Sequence, residues 1–280
     1  MSALFFVLAN LLLHLIIFCM AIRQYSTDSN KEKAFEHCPE GEFTCLGVVF
    51  MVAAKAMFTT DIAASITKIT VAFIPMLLGM VCHEVAHGWV AYKLGDPTAK
   101  SQGRLTLNPT PHIDPMGTLM FILTALTSPF IIGWAKPVPI DTRWFKNQRQ
   151  GIIMVSAAGP ITNFILAVLF ALGYSATIYN IPEPGSVYAS VHTFLSQMCQ
   201  YGVMINLTLG WFNLMPLPPL DGSNIVAGIL PPHLSYKFRS LSRYGFIIVI
   251  LLLATGFLGA IIRPLIMYSV DLINLLLSLF

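Results

Sequence analysis

His83, Glu84 and His87 stand in the run Val81-Cys82-His83-Glu84-Val85-Ala86-His87 and read H-E-x-x-H. On a helix, two histidines four residues apart share one face, and their imidazoles can grip one tetrahedral Zn²⁺. Glu84, next to the first of them, is placed to act as a general base on an attacking water. A short pattern like this also arises by chance. The flank argues against chance, because residues 71–80 are almost wholly apolar. Ionisable groups inside an apolar span are costly and are usually functional.

A catalytic zinc needs three protein ligands and an open position. The chain has no glutamate at the spacing soluble proteases use shortly after the motif. Asp221 is the candidate third ligand. It closes the run Asn213-Leu214-Met215-Pro216-Leu217-Pro218-Pro219-Leu220-Asp221-Gly222. Prolines at 216, 218 and 219 cannot sustain a helix. Non-helical backbone at membrane depth must be covered by protein or line a wet cavity, and an active site is such a cavity. The alternative places Asp221 in a surface loop with Asp-Gly as a turn. The two histidines tip the reading to a ligand.

The elements that must position these groups are membrane elements. The chain has 280 residues, 56% hydrophobic and 10% charged, with a mean hydropathy of +0.73. That composition excludes an ordinary soluble globule and fits one polytopic membrane domain. A net charge of +3 is too small to argue for nucleic acid. The five cysteines form no C-x-x-C pair, so no thiolate metal site is indicated. Cys38 and Cys45 share a polar stretch and would pair if it lies outside the cytosol; otherwise they are free thiols.

In chain order, residues 4–22 read as an uncleaved span or a signal-like segment, and 23–45 as a charged loop. Residues 46–58 are a short apolar stretch interrupted by Lys55. Residues 62–92 form the motif helix, stopped by Gly95 and Pro97. Spans are expected at 150–179 and 193–215, with a basic loop after Asp221. Residues 245–280 are expected to split at Arg263-Pro264 into two short segments. The expected division is an accessory part at 1–58, a core at 59–225 and a C-terminal part at 226–280.

Positive residues mark the cytosolic side. Lys93, Lys146, Arg149, Lys237, Arg239 and Arg243 should all lie there, while 180–192, without Lys or Arg, lies outside. His83, His87 and Asp221 then fall near the cytosolic ends of their segments. Basic residues flank 116–132 on both sides, which makes that segment re-entrant or half of a hairpin.

Three blocks resemble the site-2 protease family of intramembrane zinc metalloproteases, peptidase family M50. They are His83-Glu84-Val85-Ala86-His87, Ala158-Gly159-Pro160-Ile161-Thr162-Asn163, and Asn213 through Asp221-Gly222. They occur in the family's order over roughly residues 60–225 and are jointly specific. The resemblance implies an all-α polytopic membrane protein with a three-helix catalytic core and further transmembrane and re-entrant segments. It implies one zinc per chain on His83, His87 and Asp221, with Glu84 as base. It also implies that Asn213 helps hold the substrate or the developing oxyanion. Gly159 and Pro160 look like packing and helix-start residues. The run Gly103-Arg104-Leu105-Thr106-Leu107-Asn108-Pro109 with His112-Ile113-Asp114-Pro115 resembles a compact subfamily. No soluble block is long enough for an inserted PDZ or an appended CBS domain. His112 and Asp114 either serve the loop or line the zinc site, and the loop role is the commoner fate of such residues.

The implied reaction is hydrolysis of peptide bonds within or beside transmembrane segments, in a bacterial cell membrane with the active site towards the cytosol. The expected partners are transmembrane protein substrates and the bilayer, with no nucleic acid. A helix hides its carbonyls in its own hydrogen bonds, so substrates should be helix-weak. The rival readings are a zinc transporter or metal-binding membrane protein, and a catalytically dead scaffold. A transporter usually shows repeat symmetry, and the chain has none. Intact Glu84 argues against a dead scaffold.

Overall fold

The computed structural model describes residues 62–127, 133–178, 182–183 and 185–278. The readings on 1–58, including Cys38 and Cys45, lie outside them. The described residues are almost wholly helical: α1 (Ile62–Lys93), α2 (Thr98–Ser101), α3 (Pro115–Thr127), α4 (Gln148–Ile178), α5 (Val187–Asn213), α6 (Asp221–Ile229), α7 (Pro232–Ser240), α8 (Ser242–Ala254) and α9 (Phe257–Leu277). Extended pairing among them is one antiparallel bridge, Ile113 with Ala135. Residues 68–122 and 132–280 form one compact unit. The other unit comprises 1–67 and 123–131, of which the described part is the first turns of α1 and the end of α3.

Among the described residues, three segments are long and apolar enough to cross a membrane: Ile69–Lys93, Gln148–Ile178 and Phe257–Leu277. The chain is therefore an all-α integral membrane protein. Two expected spans differ. The stretch 193–215 is the greater part of α5, which begins at Val187 and is long enough to cross, but its Ser, Gln, His, Thr and Asn residues keep it out of the apolar class. The C-terminal break falls at Thr255-Gly256, where Gly256 takes a left-handed φ of +74°. Pro264 sits inside α9, in its second turn. There it removes the bond that a residue 264 N–H would make to the Ala260 carbonyl, yet α9 continues through it.

The first expected re-entrant segment is helical. At 13 residues α3 is about 20 Å long, short of a ~30 Å hydrocarbon core. Asp114 starts it: its Oδ1 accepts from Gly117 N at 2.8 Å, with Pro115 in the first turn. The basic stretch after Asp221 is also helical, with Lys237 and Arg239 on α7 and Arg243 on α8.

Packing centres on α4 and α5. Ala167, Ala171, Leu207, Leu220, Val249, Leu258, Ile262, Ile266 and Ile273 form the apolar core shared by α4, α5, α8, α9 and the turn before α6. On α5, Gly202, Asn206 and Gly210 recur every fourth residue and are buried on one face. A Cβ at Gly202 would stand 2.4 Å from the Phe170 ring, and one at Gly210 2.8 Å from Phe164. Small residues at this spacing let two helices approach closely, as in other membrane bundles.

Candidate metal centre and active site

α1 carries His83 and His87 one turn apart on a face turned towards α4. His83 Nδ1 donates to Asn163 Oδ1 at 2.6 Å. His87 Nδ1 donates to the Val155 carbonyl at 2.7 Å. With both Nδ1 atoms protonated by these bonds, the neutral rings turn bare Nε2 lone pairs inward. The two Nε2 atoms are 3.0 Å apart.

Asp221 reaches the same point from the far end of the core. α5 ends at Asn213, residues 214–220 turn through the prolines, and Asp221 opens α6. Gly222 permits the turn: a Cβ there would lie 2.1 Å from the Leu214 carbonyl oxygen and 2.5 Å from that of Met215. Asp221 Oδ2 stands 3.1 Å from His83 Nε2 and 3.2 Å from His87 Nε2. It accepts no further hydrogen bond among the described residues. A metal takes such a group in its carboxylate form.

Three electron-pair donors thus converge with no second donor hydrogen between them. A single proton can bridge one pair of them; only a metal cation satisfies all three. The ligand atoms lie within 4.8 Å of one another, and among the described residues this is the group that can hold an ion. Two imidazoles and a carboxylate suit zinc. Gly159 keeps the space open. A Cβ on it would sit 2.5 Å from His83 Cε1, 2.6 Å from His83 Nε2 and 2.6 Å from His87 Nε2.

Behind His83 runs a hydrogen-bonded relay of fully buried amides. Asn163 Nδ2 donates to Asn206 Oδ1 at 3.0 Å and to the Gly79 carbonyl at 3.2 Å. Asn206 Nδ2 donates to the Gly202 carbonyl at 2.9 Å. These bonds fix which face of the Asn163 amide meets His83. Such partners orient a ligating histidine and raise its basicity. Sequence reasoning quoted Asn163 without giving it a role and missed Asn206. The signal was available: Gly159 and Asn163 share a face of α4, and asparagines inside apolar helices need partners. Gly159 and Pro160 lie well inside α4, so neither starts a helix.

Glu84 is outside the ligand group. Its Oε2 accepts from the Val138 backbone N–H at 2.8 Å, and its Oε1 has no hydrogen bond among the described residues. Asn213 ends α5, and its Nδ2 donates to the Leu209 carbonyl of its own helix at 3.0 Å. One of its two amide hydrogens is thus engaged, and the other has no acceptor among the described residues. His112 is also outside the ligand group. It is buried, and its Nε2 donates to the Thr106 carbonyl at 3.0 Å. Burial pushes its imidazole below the usual range, and the nearby Arg104 charge adds to that.

The family model for peptidase family M50 matches residues 71–253. The chain is 39% identical to YwhC of Bacillus subtilis, a protein named as a candidate zinc metalloprotease, over 68% of this chain and 83% of that one. It is 32% identical to Rip2 of Mycolicibacterium smegmatis, named likewise, over 64% of each chain. It is 24% identical to the zinc metalloprotease MJ0392 of Methanocaldococcus jannaschii, over 75% of this chain and 47% of that one. No solved structure matches. An H-E-x-x-H helix, a distant aspartate brought to it and a matching family model lead to one statement: the chain belongs to peptidase family M50 and is a zinc metalloprotease of the compact site-2 protease type.

Proposed function

We propose that this metalloprotease hydrolyses peptide bonds within or next to transmembrane segments of other membrane proteins. One observation carries the reading. His83 and His87 sit on a helix that is itself apolar enough to span a bilayer, and the residues completing their site come from α4 and α6 of the same bundle. A substrate reaching this site must therefore enter among the helices with its backbone extended, since helical carbonyls are already bonded. Helix-weak transmembrane segments meet that demand.

His83, His87 and Asp221 would hold one zinc per chain. When bound, zinc supplies the Lewis acidity that makes water a nucleophile near neutral pH and polarises a carbonyl. Glu84 takes a proton from the attacking water and passes it to the leaving amine. Its Oε2 is held by Val138, so Oε1 is the atom that does this. Asn213 offers its free amide hydrogen to the substrate carbonyl or the developing oxyanion. Residues 59–225 carry all of these groups. The positive loop charges support a catalytic end facing the cytosol, and the reading takes the membrane to be a bacterial inner membrane.

The test is cleavage of a panel of membrane-anchored peptides by the purified protein, with and without a chelator. Chelator-sensitive cleavage inside or beside the helix-weak apolar segment is expected. Cleavage confined to soluble peptides would overturn the intramembrane reading.

A further inference from the structure

The extended stretch 133–139 that touches Glu84 is fastened by a buried cation. Arg104 is 7% exposed and makes no ion pair among the described residues. Its Nη2 donates to the Lys136 carbonyl at 2.7 Å and to the Pro137 carbonyl at 3.2 Å. On the other side Lys136 N donates to the His112 carbonyl at 2.8 Å, within the bridge of Ile113 and Ala135. The Arg104 backbone N–H donates to Ala99 at 2.9 Å, which ties it to α2. An arginine buried without a carboxylate partner is expensive, and these two carbonyls are what offset it.

The two carbonyls immediately precede the atom that matters. The Pro137 carbonyl and the Val138 N–H belong to one peptide unit. That unit is planar and trans, so the two groups point in opposite directions from a rigid plane. The guanidinium grips one edge of the plane, and Glu84 Oε2 accepts from the other at 2.8 Å. A cation on the carbonyl also polarises the peptide and strengthens its N–H as a donor.

We propose that Arg104 is a positioning residue for the general base. It sets the plane of the Pro137–Val138 peptide, and that peptide holds Glu84 Oε2 so that Oε1 faces the reacting centre. The catalytic part of this inference rests on the role given to Glu84 above; the mechanical part does not. Both bonds come from the one Nη2 atom; lysine would have to bring a more strongly hydrated ammonium on a flexible stem to the same place, and it holds the peptide plane less well.

Two measurements test it on the full-length, zinc-loaded protein. The first is hydrogen–deuterium exchange of the peptide spanning 133–140, which needs no catalysis. Arg104→Gln should make this segment exchange roughly tenfold faster, with Arg104→Lys between it and the parent. Zinc content should stay at the parent's level. The second is a double-mutant cycle on cleavage of a helix-weak membrane-anchored peptide. Arg104→Gln should lower kcat about 10- to 100-fold with KM within about twofold. In a Glu84→Gln background it should cost nothing further. Unchanged exchange at 133–140, or losses that simply add, would overturn the proposal. Should Arg104→Gln fail to yield folded protein, Val138→Pro removes the donor directly. Residue 138 precedes Pro139 and is biased to extended or polyproline backbone, a region proline shares. That variant must lose kcat as Arg104→Gln was expected to, and full kcat would sink the idea. If Glu84→Gln itself cleaves like the parent, the base assignment fails, and the exchange measurement alone decides the fastening.

Discussion

Each residue at the centre is legible as a demand made by its neighbours. His83 and His87 use Nδ1 on Asn163 and Val155, so their Nε2 atoms have nothing to meet but each other and Asp221. Asp221→Ala removes one of three ligands, and zinc measured by mass spectrometry should fall well below one per chain. Glu84→Gln keeps the size and polarity of the side chain and removes the base. It should hold zinc like the parent and lose cleavage by on the order of 10²-fold or more. Parental cleavage by that variant would rule Glu84 out as base. Gly159→Ala tests the vacant space above the imidazoles. Its methyl would stand 2.5 Å from His83 Cε1, closer than carbon atoms pack, so zinc occupancy should drop even though no ligand has changed. Normal zinc binding by Gly159→Ala would mean that α1 and α4 can separate freely.

At the scale of elements, α6 decides whether the third ligand arrives. It is a helix of only nine residues, too short to be stable by itself. Its last carbonyls are capped from α4: Arg149 Nε donates to Gly228 at 3.1 Å, and its Nη2 donates to Ile229 at 3.1 Å and Leu230 at 2.7 Å. Gly228 packs against Ile153, whose side chain would be 2.5 Å from any added Cβ. A cation at a helix C-terminus is favourable for the dipole as well. Arg149→Ala should therefore weaken zinc binding about tenfold, equivalent to about 1.4 kcal/mol, without touching a ligand. Competition with a fluorescent zinc chelator reads this directly, and an unchanged affinity would show that α6 is held by its N-terminal turn alone.

At the scale of the molecule, three apolar segments among the described residues can anchor it in a membrane, while α5 brings polar residues into the bundle. α5 holds Asn206 against Asn163, and Trp211 Nε1 donates to Ser269 on α9 at 2.9 Å. A helix with these residues is tolerated in an apolar bundle because its polar groups are satisfied by other helices. The proposed topology, read from the positive residues, puts its ends on opposite sides of the membrane. Single cysteines at Val187, which is 83% exposed, and at Tyr236, which is 78% exposed, should label from opposite sides in a chain whose five native cysteines are replaced. Labelling of both from one side would make α5 a hairpin arm and move the catalytic end out of the cytosol.

The sequence by itself determined the chemistry and the solvent. His83 and His87 are one helical turn apart in any α1, so their pairing needs no tertiary information. The long contiguous apolar runs required helices, because a bilayer leaves only helices and closed barrels to satisfy the backbone, and barrel strands alternate. The prolines before Asp221 required α5 to stop. Tertiary structure decided what depends on distance through space. Nothing local links Val138 to Glu84, 54 residues away, or Asn163 to His83, 80 residues away. The fastening arginines are equally silent, since Arg149 reads as a topology mark and Arg104 as one residue of a polar run until their acceptors appear. Pro264 and Gly256 show the limit of local rules: the proline is carried inside α9 without ending it, and the glycine with a left-handed φ is where the chain turns. Periodicity reports which face of a helix is apolar, but the partner of a buried polar group is chosen by packing, and only the folded bundle contains that choice.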